Sequence, residues 1–251
     1  MAAPKILTVD VETTPISLSG FGLFNQNFGL NQIVEPTRLL SFAAKWLHKD
    51  NVMFAAEWQK AGRQAMLDKA HRLLSEADVV VAHNAPFDVK QFNTAFWLAG
   101  MAPPAPFIVS DTLQAVRKQF FLTSNRLDFL ARALDLGSKV SHEGHGLWLR
   151  VMEGDRSAQR LMRVYNEHDV VLCEQVWLAL RDRGWLPGVN HAAWSGGHVC
   201  THCQSPHVQR RGVQRTKAGL EYQRFQCQDC GGWSQSRKAT GSPELRKAVN
   251  Q

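Results

Sequence analysis

Four acidic side chains and four cysteines are the residues of this 251-residue chain whose placement points to chemistry. Asp10 and Glu12 lie in KILTVDVE (5–12), a segment that otherwise reads as a buried strand. Strand side chains alternate, so Leu7, Val9 and Val11 face one way and Ile6, Thr8, Asp10 and Glu12 the other, with the two acidic Cα atoms about 6.6 Å apart. Burying two like charges side by side is costly unless something positive joins them, and a divalent cation held by oxygen ligands is the economical answer. A strand end open to water, with both acids solvated, is the plain alternative.

Two further acids stand in places where acids are unusual. In DVVVAHNAPFD (78–88), a buried apolar run leads into a helix with Asn84 as N-cap and Pro86 in the first turn, which puts Asp88 above the end of the strand. There it serves either the helix dipole or a site of the kind that gathers at strand ends in α/β sheets. Leu161, Tyr165, Asp169, Leu172 and Val176 recur at helical spacing and form one stripe, so Asp169 interrupts an apolar face one turn after Tyr165. It is either half of a core Tyr–Asp pair or a fourth ligand.

Cys200, Cys203, Cys227 and Cys230 form C-x₂-C-x₂₃-C-x₂-C, a spacing that sets two thiolate pairs on facing turns around one tetrahedral Zn²⁺. Disulfides are the competing reading, disfavoured without a secretory signal. The fifth cysteine, Cys173, falls on the long helix and reads as an inert buried thiol. Between the pairs, Arg210, Arg211, Arg215, Lys217 and Arg224 alternate with uncharged residues as in strands. This stretch resembles a zinc ribbon, too small to fold on a core alone, so the metal would supply much of its stability. The basic stripe suits phosphate contacts, with Tyr222 and Phe225 as stacking surfaces; a solvated charged face that meets only protein is the alternative.

The elements that must carry these residues follow from periodicity. After the acidic strand, 20–32 is rich in Gly, Asn and Phe and reads as a long loop; 38–47 and 52–58 read as strands joined by a turn at 48–51. A helix over 65–77, a strand over 78–84, a helix over 86–99, a strand over 107–111, a helix over 127–134 and a long helix over 157–183 complete the pattern. A meander followed by αβ units gives a mixed α/β sheet flanked by helices. Pro and Gly accumulate near 186–198, so the expected division is a domain over 1–186, a linker over 187–198, a ribbon over 199–240 and a tail over 241–251.

Composition narrows the partners. The hydrophobic fraction of 44% excludes a wholly disordered chain. No apolar run approaches the roughly 20 residues of a membrane span, which points to a cytoplasmic protein with no membrane partner. The net charge of +7 is uneven: residues 187–251 hold 9 Lys and Arg against 3 Asp and Glu, whereas residues 1–186 hold 20 against 19. Such a tail favours a polyanion.

Together, the acids resemble the DEDD 3′–5′ exonucleases of the ribonuclease H-like fold, a superfamily that includes polymerase proofreading domains and several RNA exonucleases. The D-x-E motif matches Asp10-Val11-Glu12; the second motif, an Asp closing an N-x-x-F/Y-D pattern, matches Asn84 to Asp88; the third, Y-x-x-x-D, matches Tyr165 to Asp169. Val164 stands where the histidine variant of the superfamily has its His, so the tyrosine subgroup is the better match. The resemblance covers about residues 4 to 183 and is nearest to the free-standing enzymes of phages and bacteria.

The resemblance implies that Asp10, Glu12, Asp88 and Asp169 hold two Mg²⁺ or Mn²⁺ about 3.5–4 Å apart, one activating the attacking water and one steadying the departing 3′ oxygen. Tyr165 would orient the water, since a phenol with a pKa near 10 is a poor base. It also implies that Thr13 and Thr14 contact the 3′-terminal nucleotide, though they read equally well as a strand-ending turn. Asp111 reads as a strand-end cap, and SHEGHGLW (141–148), with His142 and His145, as an exposed loop or a substrate-facing one. The expected activity is a metal-dependent 3′–5′ exonuclease on single-stranded or 3′-ended nucleic acid, DNA favoured over RNA, with the ribbon aiding binding. The alternatives are a nucleic-acid-binding adaptor that uses the fold as scaffold only, and an endonuclease using the same carboxylates.

Overall fold

The computed structural model describes residues 3–22, 27–186 and 188–245. Part of the expected loop 20–32, Pro187 of the expected linker and 246–251 of the expected tail therefore lie outside the described residues. The chain forms two compact units, Lys5–Val176 and Trp177–Gln251, the latter with Met1–Pro4.

The first unit runs β1 (Ile6–Thr13), β2 (Ser17–Leu18), β3 (Ile33–Glu35), β4 (Leu39–Trp46), β5 (Val52–Ala56), α1 (Gly62–Glu76), β6 (Val79–Ala82), α2 (Ala85–Leu98), β7 (Ile108–Asp111), α3 (Thr112–Gln119), α4 (Leu127–Ala133), α5 (His145–Met152) and α6 (Arg156–Asp182), which continues past Val176. Its main sheet has the order β5-β4-β1-β6-β7. β4 and β5 are antiparallel neighbours, as tight turns between consecutive strands require, while β6 and β7 run parallel to β1 because helices intervene. This is the mixed sheet flanked by helices that the sequence pattern implies.

Each face of the sheet has its own cover. Leu7, Val9 and Val11 of β1 pack with Met66, Leu67, Leu73 and Leu74 of α1 and with Phe92 and Phe96 of α2. Fully burying each such side chain contributes about 1.5–3 kcal/mol before entropy is counted. On the other face, Ala43 and Ala56 meet Val170 of α6, and Leu40 meets Leu147 and Val151 of α5 and Met162 and Tyr165 of α6. Asp10 is paired with Ala43 and Glu12 with Ser41, and directly opposed residues share a face. The acids of β1 therefore look toward α6.

Three features escape sequence periodicity. Ser17–Leu18 and Ile33–Glu35 pair as a small two-stranded sheet flanking the expected loop. α3 and α5 have only eight residues each, about two turns, too short for a stripe to stand out. α5 begins within the expected 141–148 loop and buries Leu147 and Val151. Asn84 occupies the N-cap position of α2 but in left-handed conformation (φ 81°) and without a capping side-chain bond, a backbone state that Asn tolerates better than most residues. Asp111 does cap: its Oδ1 accepts from the N–H groups of Leu113 at 2.8 Å and Gln114 at 3.2 Å.

In the second unit, α6 stops at Gly184 (φ 70°): Gly184 N–H donates to Arg181 O at 3.0 Å and Trp185 N–H to Leu180 O at 2.8 Å, the paired bonds of a Schellman turn. A short 3₁₀ turn (His191–Trp194) precedes β8 (Val208–Arg215), β9 (Glu221–Cys227) and β10 (Trp233–Gln235), an antiparallel sheet ordered β10-β9-β8. Among the described residues, no helix is long and apolar enough to cross a membrane.

Candidate functional site

Asp10, Glu12, Asp88 and Asp169 converge from three elements, and Asp10, Asp88 and Asp169 are each positioned by a different partner. β6 pairs only with Ile6–Thr8 of β1, so the backbone of β1 beyond Thr8 is open on that side. Asp88, in the first turn of α2, fills the gap: its Oδ1 accepts the Val11 N–H at 3.1 Å, between the two acids of β1. From α6, Asn166 Nδ2 donates to Asp10 Oδ2 at 2.6 Å and to the Asp10 carbonyl at 3.2 Å, while Ser41 Oγ donates to Asn166 Oδ1 at 3.2 Å. Asn166 is fully buried, and the bonds tie α6 to both central strands.

A cation of the chain itself lies against the fourth acid. The Lys139 ammonium donates to Asp169 Oδ2 and, at 3.2 Å, to the Tyr165 hydroxyl. Asp169 Oδ1 is buried without a hydrogen-bond partner. Lys139 and Asn166 are the contributors that sequence reasoning missed. Asn166 was detectable in principle, because it lies three residues before Asp169 on the same helical face. Lys139 had no such signal, standing between helices where periodicity carries no information.

The charges strain one another. Burial, then repulsion from Asp169, raises the Asp10 carboxyl to about 7, against the relief that Lys139 and Asn166 provide. Glu12 and Asp88 are pushed well above the usual carboxylate range, first by burial and next by Asp10. Burial also raises Asp169, with Lys139 opposing. Burial works to lower Lys139, but Asp169 and the neighbouring oxygens outweigh it and keep the ammonium charged. Tyr165 is raised by burial and then by Asp169, so its phenol stays protonated.

Around this cluster the side chains form walls. The rings of His142, Trp148 and Tyr165 pack edge to face, at centroid distances of 4.8 Å for His142–Tyr165 and 5.3 Å for His142–Trp148. On one side, a cavity of about 350 Å³ is lined by Thr13, Thr14, Pro15, His145 and Trp148. The Thr14 hydroxyl accepts the Arg38 N–H at 3.0 Å, so it also holds the strand end. A larger cavity of about 850 Å³ is lined by Lys139 and His142 with Arg117, Arg126 and Arg132, the last paired with Asp128 of the same lining at 3.0 Å, a mainly basic surface suited to phosphates.

The four cysteines of the second unit are drawn together: their Sγ atoms lie within 4.8 Å of one another. A tetrahedral zinc with bonds of about 2.3 Å needs sulfur–sulfur edges of about 3.8 Å. Cys200–Cys230 is 3.6 Å and Cys203–Cys227 is 3.7 Å. His202 N–H and Gly232 N–H point at the sulfurs of Cys200 and Cys230, at 3.3 and 3.4 Å. Burial raises the Cys203 and Cys230 thiols, whereas at Cys227 the N–H groups of Cys230 and Asp229 outweigh burial and bring the thiol down. The cluster is compatible with a zinc ribbon.

Of the basic residues between the cysteine pairs, Arg210 and Arg211 are exposed on β8 and Lys217 is exposed in the turn after it. Arg215 is engaged by Glu221 at 2.6 Å, and Arg224 stacks over Trp233 at 5.2 Å. Cys173 is buried, and its thiol is raised well above its ordinary value by burial, as suits an inert residue.

The donor set of the first unit fits divalent cations by its chemistry: oxygen ligands, mutual repulsion and one buried carboxylate oxygen left unpartnered. Among the described residues, however, only the cysteines stand as a compact group of metal ligands.

No protein-family model matches the chain, and no curated protein matches it. Solved structures do. One is the family B DNA polymerase from the hyperthermophilic archaeon Pyrobaculum calidifontis, with a TM-score of 0.55 at 13% identity over 73% of this chain. The chain spans 25% of that polymerase's length, and the likeness is one of fold.

Proposed function

We propose that the protein is a metal-dependent 3′–5′ exonuclease that hydrolyses terminal phosphodiester bonds of single-stranded or 3′-ended nucleic acid, DNA in preference to RNA. The observation that carries this reading is that four carboxylates from β1, α2 and α6 repel one another and are all raised in pKa, with Asp10 held by Asn166, Asp88 by the Val11 N–H and Asp169 by Lys139. Lys139 pairs with Asp169, and among the described residues the other three carboxylates have no salt-bridge partner; this excess of negative charge suits Mg²⁺ or Mn²⁺. Resemblance to a superfamily that includes polymerase proofreading domains agrees with a DNA polymerase among the structures of like fold.

Asp10, Glu12, Asp88 and Asp169 would hold two Mg²⁺ or Mn²⁺. Bound there, the ions supply Lewis acidity and an activated water at neutral pH. The chain's own groups do the positioning. Asn166 fixes the Asp10 carboxylate, the Val11 N–H fixes Asp88, and Lys139 holds Asp169 and the Tyr165 hydroxyl together. Tyr165, kept protonated, orients the attacking water by hydrogen bonding instead of removing its proton. Thr13 and Thr14, on the wall of the smaller cavity, would contact the terminal nucleotide.

We assign residues 1–186 to the exonuclease domain, 187–198 to a linker, 199–240 to the zinc ribbon and 241–251 to a tail. One structural Zn²⁺ on Cys200, Cys203, Cys227 and Cys230 would hold the ribbon. Arg210, Arg211, Arg215, Lys217 and Arg224 would serve phosphate binding, with Arg215 and Arg224 committed in part to Glu221 and Trp233. The compartment we expect is the cytoplasm, where thiols stay reduced.

The test uses 5′-labelled single-stranded DNA and RNA with Mg²⁺ or Mn²⁺, beside a chelator control and the Asp88→Ala variant. The expected result is a ladder that shortens from the 3′ end, faster on DNA, and is absent from both controls. Intact substrate with salt-sensitive binding would leave the adaptor reading, and a few internal cuts would indicate an endonuclease.

A further inference from the structure

We propose that the ribbon carries a pocket for one unpaired nucleobase, with Phe225 as its stacking surface, so that it recognises a strand by its bases and not by phosphate alone. The proposal rests on the reading of the ribbon as a nucleic-acid-binding unit and is independent of the four carboxylates.

The sheet register builds the floor. Arg210 on β8 and Ser234 on β10 stand directly opposite Phe225 on β9, so the three side chains form one row across a single face. Arg224 and Trp233 belong to the other face, where they stack on each other. Above the row lies a cavity of about 370 Å³, lined by Phe225 with His198, Thr201, Ser234, Ser236 and Arg237. That volume falls within the range of about 300–1,000 Å³ typical of small-ligand pockets. The His198 ring lies beside Phe225, with 4.6 Å between centroids and 76° between planes, and adds a second aromatic wall to the cavity.

The lining has the chemistry that a base requires. An aromatic floor takes the π-face, and hydroxyl groups take the polar edge. Thr201 and Ser234 already bond to each other at 2.9 Å, and Ser236 Oγ accepts the Gln223 N–H at 3.1 Å and donates to Lys238 O at 2.8 Å. These bonds fix the hydroxyls in place while each oxygen, with two lone pairs, keeps acceptor capacity. Arg210 at one end of the row and the exposed Arg237 at the rim supply cations for the phosphates on either side of the base. A base inside a duplex is stacked on both faces and cannot enter, so the ligand is a single strand.

The experiment uses the full zinc-loaded chain in the Asp88→Ala background, so that the strand is not cut. Two fluorescent single-stranded oligonucleotides of equal length and charge are compared, one with bases and one abasic, at fixed salt. The chain should bind the base-bearing strand about tenfold more tightly. Phe225→Leu, which keeps an apolar side chain and removes the π-face, should bring the ratio close to one with zinc still bound; Phe225→Trp should keep it. Arg237→Ala should weaken both strands alike and lower the salt slope by about 0.7. Should Phe225→Leu lose zinc, His198→Ala replaces it, with the ratio expected to fall several-fold. A ratio unchanged in a zinc-loaded Phe225→Leu or His198→Ala chain, or a ratio near one in the parent, overturns the pocket. Loss of exonuclease activity would move none of these readings.

Discussion

Asn166 shows how much a single buried amide can do. It bonds Asp10 through two contacts and Ser41 through a third, and nothing around it is wet enough to replace them. Asn166→Ala should therefore lower Mg²⁺ affinity or cleavage rate by about 10–100-fold, the range for partners that orient metal ligands. Titration of activity against Mg²⁺ checks this, and Asn166→Asp, which puts another acid beside Asp10, should not rescue. A pH dependence follows from Asp10, raised from 3.8 to about 7. A folded-state pKa above the unfolded value means that its contribution to stability is fully present below about pH 4 and is lost as pH rises through about 7. Divalent cations bind the ionised form, so the rise in Tm on adding Mg²⁺ should be small at pH 5.5 and grow toward pH 8, as thermal melts at each pH would show. A rise equal at all pH values would argue that Asp10 does not ligate the ion.

At the scale of elements, the site exists because three backbone features meet. β1 is paired on both sides only as far as Thr8, α2 begins where β6 ends, and α6 crosses the face that Ser41 and Ala43 share with the acids. The end of α6 is equally constrained. Gly184 has φ 70°, and a Cβ there would come within 2.6 Å of the Gly232 Cα and 2.7 Å of the Gly232 nitrogen, backbone atoms that cannot swing aside. Gly232 N–H in turn points at Cys230 Sγ. Gly184→Ala combines a left-handed penalty of about 1 kcal/mol with this clash, so the loss should exceed about 2 kcal/mol and zinc affinity should fall. Urea unfolding and zinc competition with a chromogenic chelator measure both. Zinc affinity equal to the parent's would mean that the turn yields without cost.

For the whole molecule, the uneven charge and the proposed zinc belong to the same segment. Most of the net positive charge lies beyond residue 186, in the segment with the cysteine cluster and with little apolar core of its own. Removing zinc should melt this segment, making it a protease target, while the sheet of Lys5–Val176 stays folded. Circular dichroism and limited proteolysis before and after chelation test this, with co-operative loss of both units as the contrary outcome. Single-strand binding should fall with salt at a slope of about 0.7 per phosphate contact, and chelation should flatten that slope.

Periodicity alone revealed which face of β1 carries Asp10 and Glu12, that Asp169 interrupts an apolar stripe, and that two cysteine pairs could close on one metal. Such patterns are local: a strand period of two or a helix period near 3.6 is written in neighbouring residues. The mixed sheet followed from the order of the elements by the same logic. Only the tertiary structure decided the rest. Asn166 reaches Asp10 across 156 positions, and Lys139 meets Asp169 from a segment with no period at all. The short helices α3 and α5 and the β2–β3 pair form where flanking packing stabilises segments too brief to declare themselves. The row of Arg210, Phe225 and Ser234 depends on strand register, which a bulge between Arg210 and Val213 shifts. Spacing along a chain tells which residues share a face; packing and register decide what that face meets.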